Sequence, residues 1–191
     1  MKEEKGNGNV MSEKNKLHDF NFYCLLFFVL AFIGWSWEVL LHLVTEHAFV
    51  NRGIYKGPYL PIYGAGGLLI YFLFGRWKKK PVRVFLGSFV LCTGLEYLTS
   101  YFLEAKWGIR WWDYSGHFLN INGRVCLLGS ACFGIGGALL VCLFAPIYER
   151  QMEKMPQKLR IFLMILFLSV FVADAARAAV FPNMGSGISY G

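Results

Sequence analysis

"FNFYCLLFFVLAFIGWSWEVLLHLV", residues 20–44, decides the fold. The hydrocarbon core of a bilayer is about 30 Å thick and a helix rises about 1.5 Å per residue, so about 20 consecutive apolar residues cross it. The quoted run is longer than that and carries a single formal charge, Glu38, which predicts a transmembrane helix. Three more runs, 82–103, 125–148 and 159–181, repeat the pattern. A fifth, 58–74, is short and opens "GPYLPIYGAGG", so Pro58, Pro61, Gly64, Gly66 and Gly67 weaken its first turns. It is either a full span or a broken or re-entrant helix whose freed backbone groups need protein or a wet cavity. Composition agrees with this picture. The chain has 191 residues, 56% hydrophobic and 18% aromatic, and its 16% of charged residues are too few to cover a soluble sphere of that size. The predicted fold is an all-α, polytopic transmembrane helical bundle of about five spans.

Basic residues orient the bundle. With five spans the amino terminus, "GRWKKKPVR" and "YERQMEKMPQKLR" share one side, which then holds 13 of the 19 Lys and Arg residues. Arg52, Lys56, Lys106, Arg110, Arg124 and Arg177 fall on the other. The positive-inside rule therefore predicts a cytoplasmic amino terminus and an extracytoplasmic carboxyl terminus. Four spans would scramble this asymmetry, which favours counting 58–74 as a span. The formal net charge of +7 is thus a topology signal and a contact for anionic lipid, and nucleic acid is not an expected partner. Residues 1–17 are polar and predict a disordered cytoplasmic tail ahead of a single transmembrane domain, 18–191. The apolar run behind them is too long for a signal peptide and lacks a small-residue cleavage site.

Polar residues inside the spans are the candidates for function, because a charge at the bilayer centre costs about 2.5–3.5 kcal/mol and normally faces a bundle interior. Glu38 and His42 lie one turn apart on the first helix. In "GLEYLTSYFLE", Glu96, Ser100 and Glu104 recur at i, i+4, i+8 and form one stripe. Asp174 and Arg177 sit at i, i+3 near the outer end of the last helix, the spacing of a simple ion pair. Glu38 and Glu96 are the deeper acids, with interhelical hydrogen bonding as their structural alternative.

The connector "EAKWGIRWWDYSGHFLNINGRVCLLGS", 104–130, lies on the outer side. Its Trp107, Trp111, Trp112 and Tyr114 suit an interfacial aromatic belt. Asn120, Asn122 and Arg124 do not follow from a belt. Asn122 and Gly123 suit a turn, and Arg124 opens the next helix, where the macrodipole disfavours a cation. That cation needs an acid, with Glu38, Glu96, Glu104 and Asp113 as candidates. The connector is accordingly expected to be a lid whose Arg124 closes over the acids of the first and third helices. Glu38, Glu96, Glu104, Asp113, Asn122 and Arg124 are the expected substrate-binding residues. The cysteines, Cys24, Cys92, Cys126, Cys132 and Cys142, are odd in number and form no CxxC, which predicts packed free thiols, with no metal site and no cofactor.

"FIGWSWEVLLH", "NRGIYKGPYLPIYGAGG", "GLEYLTSYFLEAKWGIRWWDYS" and "FLNINGRVCLLGSACFGIGG", in that order, resemble the bacterial membrane-protein family "putative ABC-transporter type IV", or CmpB-type, over about residues 32–146. The resemblance implies a small multi-pass permease of the bacterial plasma membrane. It places Glu38, Gly57, Pro58, Tyr63, Gly64, Glu96, Glu104, Trp112, Asp113, Tyr114, Asn122, Gly123 and Arg124 at family motif positions. No GxxxxGK[ST] loop occurs, so an ATPase would be a separate chain, and a bundle this narrow implies a homo-oligomer if it encloses a path. The leading expectation is a permease-like component with an outward-facing polar intramembrane pocket. The alternative is an integral-membrane enzyme acting on a lipid-linked or cell-surface substrate, with Glu96 or Glu38 as general base and Arg124 holding an anionic group. The chain has no GxSxG, HExxH or DxD-type metal pair to support the enzyme, and a purely structural role is the third class.

Overall fold

The computed structural model describes residues 3–108 and 110–183, with side chains from Phe20 onward. Six helices follow in chain order: α1 (Glu3–Thr45), α2 (Pro61–Phe74), α3 (Pro81–Trp107), α4 (Leu127–Leu139), α5 (Ala145–Lys154) and α6 (Gln157–Val180). Among the described residues there is no strand, only an isolated antiparallel bridge between Ile121 and Val125. Residues 3–17, expected above as a tail, are helical in backbone and continuous with the span.

Four helical stretches are long and apolar enough to cross a membrane: Phe20–Thr45, Pro81–Trp107, Leu127–Lys154 and Gln157–Val180. The expected runs 125–148 and 159–181 are thus shifted slightly, and the former continues through α5. Its continuity depends on a wider π turn, Leu140–Phe144, placed just before Pro146. In a regular α-helix the proline ring would collide with the Cys142 carbonyl; the wider turn, closed by Ala145 N–H to the Leu140 carbonyl, relieves that contact.

The short fifth run resolves into α2 plus a 3₁₀ turn, Gly75–Trp77. Pro58 lies outside the helix, because Leu60, the residue before Pro61, is held extended at φ −118°, ψ 102°, and Pro61 then supplies the first helical position. Fourteen helical residues reach only about 21 Å, and the 3₁₀ turn adds about 6 Å. α2 nevertheless runs antiparallel along α1. A Cβ on Gly34 would overlap Tyr63, and one on Gly64 would lie 2.7 Å from the Phe27 carbonyl, while Tyr23 meets Phe72 at the far end. Gly64 is therefore a contact between backbones that no larger residue permits.

The chain alternates direction throughout. α3 and α4 are antiparallel, with Thr93 Oγ donating to Ser130 Oγ at 2.7 Å and Gly137 against Ser88. α6 runs parallel to α1, packed through Phe28 and Phe167 and through Phe27 and Phe171. All connections at one end are short: 75–80, and the step from α5 to α6. The other end carries both long connectors, 46–60 and 108–126, and the end of α6. The buried core lies between, around Leu26, Ile70, Val84, Leu140 and Val141. Large side chains such as Val90, Leu128, Ile135 and Val172 face outward, where a bilayer covers them.

Candidate functional site

At the end with the long connectors, acids from three helices are gathered. Glu38 of α1 accepts a hydrogen bond from the Tyr63 hydroxyl of α2 at 2.5 Å, and its other oxygen lies 3.6 Å from Arg52 Nε. The 46–60 connector that carries Arg52 is fixed locally. Trp35 Nε1 donates to Asn51 Oδ1 at 2.7 Å, and Asn51 Nδ2 donates to the Lys56 carbonyl at 3.0 Å. His42 bonds the Glu38 carbonyl one turn back, the packing role usual for a helix histidine.

Glu96 is the deepest acid of α3, 6% exposed. Its Oε1 accepts from the Tyr114 hydroxyl at 3.1 Å, while Oε2 is buried with no partner. Both Glu38 and Glu96 act electrostatically on the Tyr63 phenol, so the two carboxyls share one neighbourhood. Tyr114 reaches it from the 108–126 connector; burial and the nearby Glu96 raise its phenol far above the ordinary value, keeping it a donor at any physiological pH.

Further out on the same stripe, Arg124 is buried at 9% exposure. Its guanidinium donates to Ser100 Oγ at 3.1 Å and to Glu104, and it lies 5.8 and 5.5 Å from the ring centres of Tyr97 and Tyr101. Arg110 Nε donates to the second Glu104 oxygen at 3.0 Å. The connector folds to hold Arg124 there. Asn122 and Gly123 adopt φ of +54° and +67°, a left-handed turn that closes the Ile121–Val125 bridge. Trp112 Nε1 caps the Arg124 carbonyl at 2.8 Å, and Tyr114 N–H bonds the Gly123 carbonyl at 2.7 Å.

Arg124 pairs with Glu104, one of the four acids expected for it and one that the third helix carries, and it bonds neither Glu38, Glu96 nor Asp113, so its expected closure over the first helix is corrected. Asp113 instead accepts from Ser115 N–H and Oγ, bonds that hold its carboxyl below the usual range at the exposed surface. The Asn122 side chain donates to the Tyr97 hydroxyl at 2.9 Å. Asp174 also does more than pair with Arg177, 3.8 Å away: it accepts from Lys56 N–H, Gly57 N–H and the Tyr59 hydroxyl. Partial burial, and after it the bond to the Asp174 carboxylate, raise the Tyr59 phenol well above its ordinary value.

The residues missed by sequence reasoning are Tyr63, Tyr114, Arg52 and Arg110. Two of them carried a signal, since Tyr63 and Tyr114 stand at motif positions of the resemblance. Among the described residues, a groove of about 380 Å³ lies beside α3 and α4 and another of about 280 Å³ beside α1, α2 and α6, both lined by apolar side chains. None of the six expected binding residues lines either. The acids and their donors bond one another in a closed polar cluster in which Glu96 Oε2 is left unpartnered; at the same end Trp111 Nε1 and Arg177 Nη1 are also buried without a hydrogen bond. Among the described residues no group of three or more His, Cys, Asp and Glu could hold a metal ion.

No curated protein and no solved structure matches this chain. The family model described as "Putative ABC-transporter type IV" matches it over residues 25–179, which takes in every helix-borne residue of the cluster, and the chain belongs to that family.

Proposed function

We propose that this multi-pass membrane protein is the membrane-embedded component of a transport assembly, working with a separate ATPase chain, and that Glu38 and Glu96 receive the substrate. One observation carries the reading: the buried, unpartnered Oε2 of Glu96, set beside a second carboxyl and two phenols. A buried acceptor without a donor is unfavourable, so a ligand bearing an N–H or O–H group gains a hydrogen bond on entering. The Tyr63 and Tyr114 hydroxyls flank that position and would orient such a group. The 108–126 connector supplies Tyr114 and so completes the site from outside, which is the lid role.

The reading predicts that a small molecule co-purifies with wild-type protein and is detected by mass spectrometry after gentle extraction. Glu96→Gln, which keeps shape and turns one acceptor into a donor, is expected to lose it while retaining the thermal unfolding midpoint. Equal recovery from both proteins would remove Glu96 from the site.

The basic residues at the short-connection end support a cytoplasmic placement of that end. With native cysteines replaced, cysteines at Lys79 and Lys154 are expected to stay shielded from a membrane-impermeant thiol reagent in intact cells, and one at His117 to be labelled. All three positions are exposed, so access and not burial decides the outcome. Labelling at Lys79 without labelling at His117 would invert the protein and turn the proposed site to the cytoplasm.

A further inference from the structure

At the opposite end of the bundle, Arg160 and Asn21 are, among the described residues, buried side chains with unpartnered polar atoms. Arg160, in the first turns of α6, is 7% exposed, yet its Nε and Nη1 make no hydrogen bond. Asn21, on α1, is 1% exposed, and both its amide atoms are unpartnered. The two lie at matching depth. α1 and α6 run parallel, and Phe28 and Phe167 meet with ring centres 5.6 Å apart. Seven residues back along each helix, two turns and the same face, stand Asn21 and Arg160. Tyr148 stands near both: its hydroxyl donates to the carbonyl of Phe22, the residue after Asn21, and it lies within electrostatic reach of Arg160.

The surroundings favour an anion. α6 begins at Gln157 with Pro156 as its N-cap, no side-chain cap and no acid in its first turn, so its free N–H groups and positive dipole end add to the guanidinium. The neighbouring acid Glu149 is already engaged by Lys78 and Tyr71. From the level of Asn21 the apolar groove of about 280 Å³ leads toward the bilayer centre, lined by Phe20, Cys24 and Phe28 of α1 and Leu168 and Phe171 of α6. Neither Asn21 nor Arg160 lines the groove, but its lining begins at Phe20, next to Asn21 in the chain, and a guanidinium and an amide donor near one end of an apolar groove match a ligand with an anionic head and a hydrocarbon tail.

We infer that Arg160 and Asn21 bind the phosphate of an anionic phospholipid whose acyl chain lies in the α1–α6 groove. Arg160 offers a planar fork to two phosphate oxygens, Asn21 Nδ2 donates to one of them, and the headgroup remains at the basic end. This site is separate from the Glu38 and Glu96 cluster and stands or falls apart from it.

The test uses the full chain in nonionic detergent, titrated with dioleoyl phosphatidylglycerol, dioleoyl phosphatidylcholine or inorganic phosphate. Binding is read by native mass spectrometry and by the thermal unfolding midpoint. Phosphatidylglycerol is expected to bind in a 1:1 complex and raise the midpoint, with phosphatidylcholine at least about tenfold weaker. Asn21→Leu and Arg160→Lys, both shape-conserving enough to fold, are expected to weaken phosphatidylglycerol about tenfold each, and Lys158→Gln on the exposed face to leave it unchanged. Equal binding of the two lipids, or unchanged phosphatidylglycerol binding in both Asn21→Leu and Arg160→Lys, overturns the site. A full midpoint shift with inorganic phosphate alone overturns the lipid and leaves a free-phosphate site.

Discussion

Replacing Asp174 by alanine is expected to cost about 3 kcal/mol of stability, read as a fall of about 6–12 °C in the unfolding midpoint in detergent. The Asp174 side chain is 12% exposed and accepts three bonds from the 46–60 connector: Lys56 N–H at 3.0 Å, Gly57 N–H at 2.8 Å and the Tyr59 hydroxyl at 2.6 Å. Hydrogen bonds to a charged acceptor contribute about 1.5–3 kcal/mol each, and part of that returns when water reaches the released donors. Asp174→Asn keeps one carbonyl oxygen and is expected to lose about half as much. The connector also carries Arg52, so Asp174→Ala is expected to loosen the contact on Glu38 as well. A midpoint within about 2 °C of wild type would show that the connector is held by its other contacts, the Asn183 amide bonds to Asn51 and Gly53 among them.

The spans were legible because hydrophobic length is a one-dimensional property: a run of apolar residues must be covered by lipid or protein wherever it folds. Boundaries were less so. The fifth run begins at Pro61, not Pro58, because a backbone restriction on Leu60 decides it, and hydropathy does not register that. The expected run 125–148 continues to Lys154 through a π turn in front of Pro146, a local backbone feature that hydropathy does not register. Polarity, in contrast, located the acids on the correct faces: Glu96, Ser100 and Glu104 do form one stripe.

Pairing within that stripe was not legible. Periodicity tells which residues share a face but not their distance from the membrane surface, and eight residues separate Glu96 from Glu104 by about 12 Å along the axis. An arginine held in an outer connector meets the outer acid first. The inner acids, Glu38 and Glu96, are served by Tyr63 and Tyr114, whose rings count as aromatic belt in composition although their hydroxyls supply the donors. Two cations of the long-connector end, Arg52 and Arg110, were read only as part of a minority in the topology count, whereas Arg124 was expected to need an acid. All three stand against an acid, so this end carries little uncompensated charge despite its basic residues.

Arg124→Ala is expected to lower stability by about 2–3 kcal/mol, because a buried guanidinium loses its bond to Ser100, its two tyrosine faces and the packing of its stem, and a cavity replaces it. Lysine is expected to recover only part of this, since an ammonium cannot serve Ser100 and Glu104 through one planar fork. The partner is identified by a double-mutant cycle. Glu104→Gln combined with Arg124→Ala is expected to be clearly less damaging than the two separate losses added, as the second change removes an interaction already gone. Glu96→Gln combined with Arg124→Ala is expected to add within about 0.5 kcal/mol, the behaviour of sites without a shared partner. Asp113→Asn, on an exposed carboxylate that bonds Ser115, is expected to add as well, with the smallest effect of the set. Coupling of Arg124 to Glu96 in place of Glu104 would mean that the connector closes deeper than this geometry, with the guanidinium itself reaching the inner acids.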